Sequence, residues 1–151
     1  MTPAMSQEKE RAMLEPGSSG IAELTVTDAD LASSLNLEPG DDFPPVLATA
    51  RMIALMEVAG ARLLVPLLKP GELSVGVTVD IVHTAATPQG VTVVAEARFT
   101  GIEGKLYAFD VVARDPGGEI GRGTHKRAIV AAERIVAGAN KRCPASVQQS
   151  S

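Results

Sequence analysis

The sequence predicts an α+β domain in which one long buried helix packs against an antiparallel sheet, and three observations carry that reading. A mostly apolar stretch, Val46 to Leu68 (VLATARMIALMEVAGARLLVPLL), has helical character and only four clearly polar side chains before Pro66. After Lys69-Pro70-Gly71 the hydrophobic period changes from that of a helix to two. Four alternating stretches follow, most of them joined by short turn-forming segments, as expected of antiparallel strands with one covered face.

Taken in order, residues 1–19 are polar, end in Pro-Gly-Ser-Ser-Gly and read as a mobile leader. Gly20–Thr27 alternates weakly and is expected to be the first strand. Asp28–Asp42 holds a short helix-like piece followed by EPGDD, and reads as a covering loop. Phe43-Pro44-Pro45 locks the approach to the long helix, because proline fixes φ and disfavours helix in the residue before it.

Within the helix, Arg51 and Arg62 fall within about 20° of each other at 3.6 residues per turn, and so form one wet stripe. Glu57 lies about 120–140° from that stripe and Thr49 about 160° from Arg51. Both point toward whatever covers the helix. A carboxylate there costs free energy unless it is paired, hydrogen-bonded or open to a cavity, so Glu57 is the first sign of a site.

In Ser74–His83 the odd positions, Val75, Val77, Val79, Ile81 and His83, are expected to share the covered face. Val91–Thr100 and Lys105–Asp115 repeat the alternation, separated by Gly101–Gly104 and closed by the turn signal Asp115-Pro116-Gly117-Gly118. Glu119–Ala131 is the last strand, with Gly121, Gly123, His125, Arg127 and Ile129 on one face. Two glycines at that spacing mark the close approach of another backbone or a ligand. From about Glu133 the pattern fades, and residues 134–151 are expected to be a flexible tail, leaving residues 20–133 as the domain. A single helix wrapped by a curved antiparallel sheet is the hotdog arrangement.

Composition narrows the function classes. The net charge is −4, and no basic run interleaves with aromatics, which argues against nucleic acid. With no Trp, one Tyr and three Phe, the core must be aliphatic. The first twenty residues mix acids and bases without an apolar run, unlike a secretory signal. Arg51, Glu57 and Arg62 cross the apolar helix, which argues against a membrane span. The single cysteine, Cys143, allows neither a disulfide framework nor a cysteine metal cluster within one chain. A cytoplasmic location and no metal are the expectations.

Three residue types with chemistry converge on the helix–sheet interface: the Thr49 hydroxyl, the Glu57 carboxylate and the His83 imidazole. Each has a simpler reading alone. His83 suits a core histidine bonded to a backbone carbonyl, Glu57 a salt bridge to Arg127 or to a partner subunit, and Thr49 a helix cap. Together they can polarise a carbonyl, attack it or activate water, and move a proton. His125 reads as structural and Cys143 as inert. The sequence holds no GxSxG, P-loop, GxGxxG, HExxH or CxxC.

The segments VLATARMIALMEVAGARLL, GELSVGVTVDIVHTAATPQGVTV and GEIGRGTHKRAIV resemble the fluoroacetyl-CoA thioesterase family of hotdog proteins, over about residues 43–130. The resemblance implies that Thr49, Glu57 and His83 are catalytic, with spacings of eight and twenty-six residues kept. It also implies that Gly76 and Arg127 contact substrate and that Phe43 belongs to a hydrophobic lid. A second lid phenylalanine of that family is replaced here by Gly40. The implied enzyme is a dimer hydrolysing short-chain acyl-CoA near the subunit interface, with no cofactor beyond the coenzyme A of its substrate. The rivals are a non-catalytic acyl-CoA-binding hotdog protein, which need not keep the trio, and a hydratase, whose closely spaced Asp and His are missing here.

Overall fold

The structure, a computed structural model, describes residues 13–145. The ends of the expected leader and tail, residues 1–12 and 146–151, lie outside the described residues. In chain order the elements are β1 (Ser19–Thr25), two 3₁₀ turns (Asp28–Asp30 and Ala32–Leu35), α1 (Thr49–Leu64) and a 3₁₀ turn at Val65–Leu67. Then come β2 (Glu72–His83), β3 (Thr92–Glu103), β4 (Leu106–Asp115), β5 (Gly118–Ala131) and α2 (Ala132–Arg142).

The five strands form one sheet in the order β1-β3-β4-β5-β2, every pairing antiparallel. Helix α1 lies on its inner face. Met52, Met56, Ala59 and Leu64 from the helix meet Val93, Ala95, Ala97, Phe109, Val111 and Ala113 from the sheet, all of them buried. Full burial of a side chain the size of Met or Leu stabilises by about 1.5–3 kcal/mol, so this seam fixes where the helix sits.

The helix is shorter than the apolar stretch. The N–H groups of Leu47 and Ala48 are committed to the carbonyls of Thr87 and Asp30, and Ala48 is extended, so helical winding starts at Thr49. At the other end Pro66 lacks the N–H an α-helix needs, and the chain tightens into the 3₁₀ turn. The wet stripe is as expected: Arg51 is exposed and paired with Asp30 at 3.5 Å, and Arg62 Nη1 donates to the Ile21 carbonyl on β1 at 3.0 Å.

Strand β2 departs from simple alternation. Its pairing with β5 shifts register between Gly76 and Thr78, leaving Val77 in a bulge. A bulge adds one residue and swaps which parity faces the core. Val79, Ile81 and His83 therefore share the helix side with Ser74 and Gly76, while Val75 and Val77 do not. The alternation that groups Val75 and Val77 with His83 is corrected by that one extra residue.

The paired glycines of β5 behave as their spacing suggests. A Cβ at Gly121 would press on the Met52 side chain and the Val82 carbonyl, and one at Gly123 would collide with the backbone of Asp80 and Ile81. Residues 134–142, which the fading pattern assigns to the tail, belong to the helix α2. Glu133 in the first turn and Lys141 and Arg142 in the last suit the helix dipole, and none of its residues is buried. At the other end Leu14 packs on the core, and Gly17 and Ser18 continue the pairing with Phe99.

Candidate active site

Two clusters of polar side chains lie where α1 faces β2. The first is at the start of the helix. Thr49 Oγ1 and His83 Nδ1 are 2.8 Å apart, the hydroxyl from the first helical residue and the ring from the last residue of β2. His83 Nε2 is buried and has no hydrogen-bond partner, which is costly for a ring nitrogen unless it serves a reacting group. Beside the pair lies a cavity of about 370 Å³ lined by Pro44, Val46, Leu47, Thr49, His83 and the Thr84–Ala86 loop, among others. The first amides of a helix have no carbonyl four residues back to bond to, and those of α1 begin at Thr49, on this cavity. Their dipole favours negative charge there.

The second cluster is two helical turns on. Glu57 Oε1 lies 3.4 Å from Arg127 Nη1, and a Cβ at position 76 would collide with that same oxygen. Gly76 is thus the gap into which the carboxylate fits. Arg127 is nearly buried, at 6 % exposure, and is held from several sides: Nε donates to Ser74 Oγ at 2.9 Å and Nη2 to the Ser74 carbonyl at 2.9 Å. Nη1 also lies 3.1 Å from His125 Nε2. Burial pulls the guanidinium below its ordinary value, and Glu57 pulls it back up.

His125 completes this cluster. It is 1 % exposed, stacked on Phe109 with ring centroids 6.2 Å apart, and its Nδ1 is 2.8 Å from the Thr78 carbonyl. A carbonyl only accepts, so Nδ1 carries the proton and Nε2 offers a lone pair to Arg127. Burial first, and the Arg127 charge next, hold the imidazole below its ordinary value, against the opposing effects of the Thr78 bond and Glu57.

Within the chain the expected trio is therefore divided. Thr49 and His83 meet; Glu57 is paired with Arg127, the simpler reading that its position allows. Eight residues of helix separate Thr49 from Glu57, about 12 Å along the axis. Among the described residues no hydrogen bond or ion pair joins Glu57 to Thr49 or His83. Gly76 and Arg127 stand together with Glu57 as a set. Phe43 is 46 % exposed on the loop before the helix, its N–H bonded to Asn36 Oδ1, next to the cavity-lining Pro44. Met52, Leu55 and Met56, on the covered side of the helix, are core residues. Ser74 went unnoticed in the sequence, because simple alternation assigns it to the solvent face.

One helix on the inner face of a curled five-stranded antiparallel sheet, with polar residues gathered at the helix–sheet seam, makes this a domain of the hotdog class. The chain belongs to the fluoroacetyl-CoA-specific thioesterase family, whose family model matches residues 26–133. A fluoroacetyl-CoA thioesterase of Streptantibioticus cattleyicolor is 43 % identical over 104 residues, 69 % of this chain and 75 % of that protein. A solved structure of the fluoroacetyl-CoA thioesterase FlK superposes with a TM-score of 0.83 at 36 % identity, covering 88 % of this chain and all of that one. A hot-dog-like protein from Thermanaerovibrio acidaminovorans, 20 % identical, shares the fold with a TM-score of 0.74 over 86 % of this chain and 93 % of its own. Among the described residues no helix is long and apolar enough to cross a membrane.

Proposed function

We propose that this protein is an acyl-CoA thioesterase, hydrolysing short-chain acyl-CoA to the free acid and coenzyme A, and that each working site combines the two polar clusters across a homodimer. The observation that carries it is the Thr49–His83 pair, with its unsatisfied ring nitrogen, facing a cavity at a helix N-terminus. Family membership supplies the substrate class. A protein that only bound acyl-CoA would have no need of that pair.

The edges of the sheet support a dimer. Unpaired edge strands invite pairing unless they are blunted. At β1 the Ile21 carbonyl is taken by Arg62. At β2 the edge is open and apolar, with Val77, Val79 and Val82 each about half exposed. His83 and Gly76 sit toward opposite ends of that open run, about 20 Å apart at the rise of a strand. A two-fold axis near Asp80, pairing β2 with the partner's β2 antiparallel, sets His83 of one subunit beside Gly76 of the other. The partner's Glu57, held in the Gly76 gap, then faces Thr49 and His83.

In this site the partner's Glu57 takes a proton from the attacking water while the first amides of α1 stabilise the oxygen of the tetrahedral intermediate. Thr49 fixes the His83 ring through Nδ1, and Nε2 delivers a proton to the departing thiolate. The partner's Arg127 has four of its five N–H groups engaged, and the remaining one, on Nη2, is free to bond the acyl group. Phe43, beside the cavity mouth, covers the acyl chain. A cytoplasmic location belongs to the same reading, and an exposed free Cys143 accords with a reducing compartment.

Complementation tests the proposal. Glu57→Gln and His83→Asn homodimers should each be nearly inactive. Unfolded and refolded together, they should form heterodimers in which one site has both native clusters, restoring roughly a quarter of wild-type activity for random mixing of two chains. Failure of the mixture to exceed either parent would place all three residues of a site in one subunit. A wild-type protein that releases no thiol from any short acyl-CoA would overturn the reaction itself.

A further inference from the structure

His125 sits outside the trio, yet it is the buried titratable group most tightly built into the site. Its ring is fixed on every side. Phe109 of β4 stacks on one face, and Gly60 of α1 lies close enough that an added Cβ would touch both His125 and Arg127. The Thr78 carbonyl of β2 accepts a hydrogen bond from Nδ1–H. That carbonyl lies just beyond the Val77 bulge, where the ladder with β5 shifts register.

We propose that His125 is a positioning residue for catalysis, acting through Arg127: its Nε2 lone pair, held in place by the Thr78 carbonyl, aims the guanidinium that in turn sets the Glu57 carboxylate. This rests on the thioesterase reading and extends it to a residue that touches no substrate. Nη1 of Arg127 has two hydrogens, and the geometry divides them between His125 Nε2 and Glu57 Oε1, at 3.1 and 3.4 Å. Ser74 holds the other side of the same guanidinium through its hydroxyl and its carbonyl. With both sides anchored, the group cannot swing away from Glu57 when substrate enters.

The arrangement requires a neutral ring. A protonated imidazole would present an N–H to an N–H, beside a positive charge, and the acceptor for Arg127 would vanish. The charged groups around the ring are Arg127 on its own strand and Glu57 on α1; β2 offers the Thr78 carbonyl and Ser74, and β4 offers only Phe109. Burial and Arg127 together keep the proton off, so the relay is intact at neutral pH.

Two variants of nearly equal size separate positioning from packing. His125→Gln places an amide oxygen where Nε2 stands and keeps the acceptor for Arg127. His125→Asn keeps a donor for the Thr78 carbonyl at the Nδ1 position and loses that acceptor. With acetyl-CoA as substrate, His125→Asn should lower kcat by about tenfold to a hundredfold, the scale of a misplaced catalytic group, while His125→Gln stays within a few-fold of wild type. The ¹⁵N spectrum of the full-length protein supplies a readout that needs no turnover: a protected Arg127 Nη1–H signal in wild type and His125→Gln, lost in His125→Asn, and a wild-type His125 ring protonated at Nδ1 alone. Equal kinetic losses in both variants, or an unchanged Arg127 signal in His125→Asn, would reduce His125 to packing. If wild type hydrolyses no acyl-CoA the reaction falls, and the Arg127 signal alone still upholds or overturns the positioning role.

Discussion

Thr49 Oγ1 and His83 Nδ1 lie 2.8 Å apart, joining the first residue of the central helix to the last residue of the strand beside it. The other ring nitrogen is buried and has no hydrogen-bond partner. Loss of the hydroxyl should therefore let the ring turn. Thr49→Ala is expected to lower kcat by about tenfold or more, within the range of an acid–base contribution, while Thr49→Ser remains close to wild type. Equal rates for Thr49→Ala and wild type in a free-thiol assay would make the bond a structural cap.

Glu57→Gln keeps the volume of the side chain and removes its charge. A loss of at least roughly a hundredfold in kcat is expected, the lower end of what a positioned acid–base group supplies, with an unchanged sedimentation coefficient. Near-wild-type turnover would leave the carboxylate as no more than the counter-ion of Arg127.

Gly76→Ala tests how closely that carboxylate is seated. The new methyl collides with Glu57 Oε1 and comes near His125, so the carboxylate must move. Because Gly76 lies in a strand with its surroundings otherwise open to solvent, the expected loss is in kcat, by about tenfold to a hundredfold for a displacement near 1 Å, with little change in Tm. A Tm drop without a kinetic effect would show that the strand, rather than the carboxylate, yields.

The open edge of β2 gives a prediction about assembly. Val79→Lys adds a charge at the centre of the exposed run, a device by which natural edge strands resist pairing. The variant should sediment as a monomer at micromolar concentration and lose activity, because neither cluster is a complete site alone. A fully active monomer would overturn the composite site.

His125 also sets a pH dependence of stability. Its folded value lies below the ordinary one, chiefly through burial, so the unfolded chain binds the extra proton first. Its stabilising contribution is complete above the unfolded value of about 6.5 and is lost as pH falls through the lower folded value. The difference in unfolding free energy between wild type and His125→Gln should shrink as the pH is lowered from about 7 toward 5. A difference independent of pH would mean that the ring is protonated alike in both states.

The sequence by itself determined the helix, the four strands after it and the half-buried positions of Glu57 and His83, because those follow from periodicity and local turn chemistry, whereas Thr49, expected on the covered side, is exposed. Local rules also marked the two β5 glycines for close approach by another backbone or a ligand, and the structure shows the backbone of β2 there. The tertiary structure decided what periodicity cannot carry across a change of phase. One extra residue at Val77 turns Ser74 and Gly76 inward, and alternation read straight through it puts them on the wrong side. The α2 helix escaped notice because its apolar residues, Ile135 and Val136, are few and bury nothing. The sequence offered the Glu57–Arg127 ion pair only as one of several readings, and the tertiary structure decided for it and joined Thr49 to His83. Helical angle says which way a side chain faces, but the distance along the axis, and the partner waiting at each end, come only from how the sheet curls around the helix.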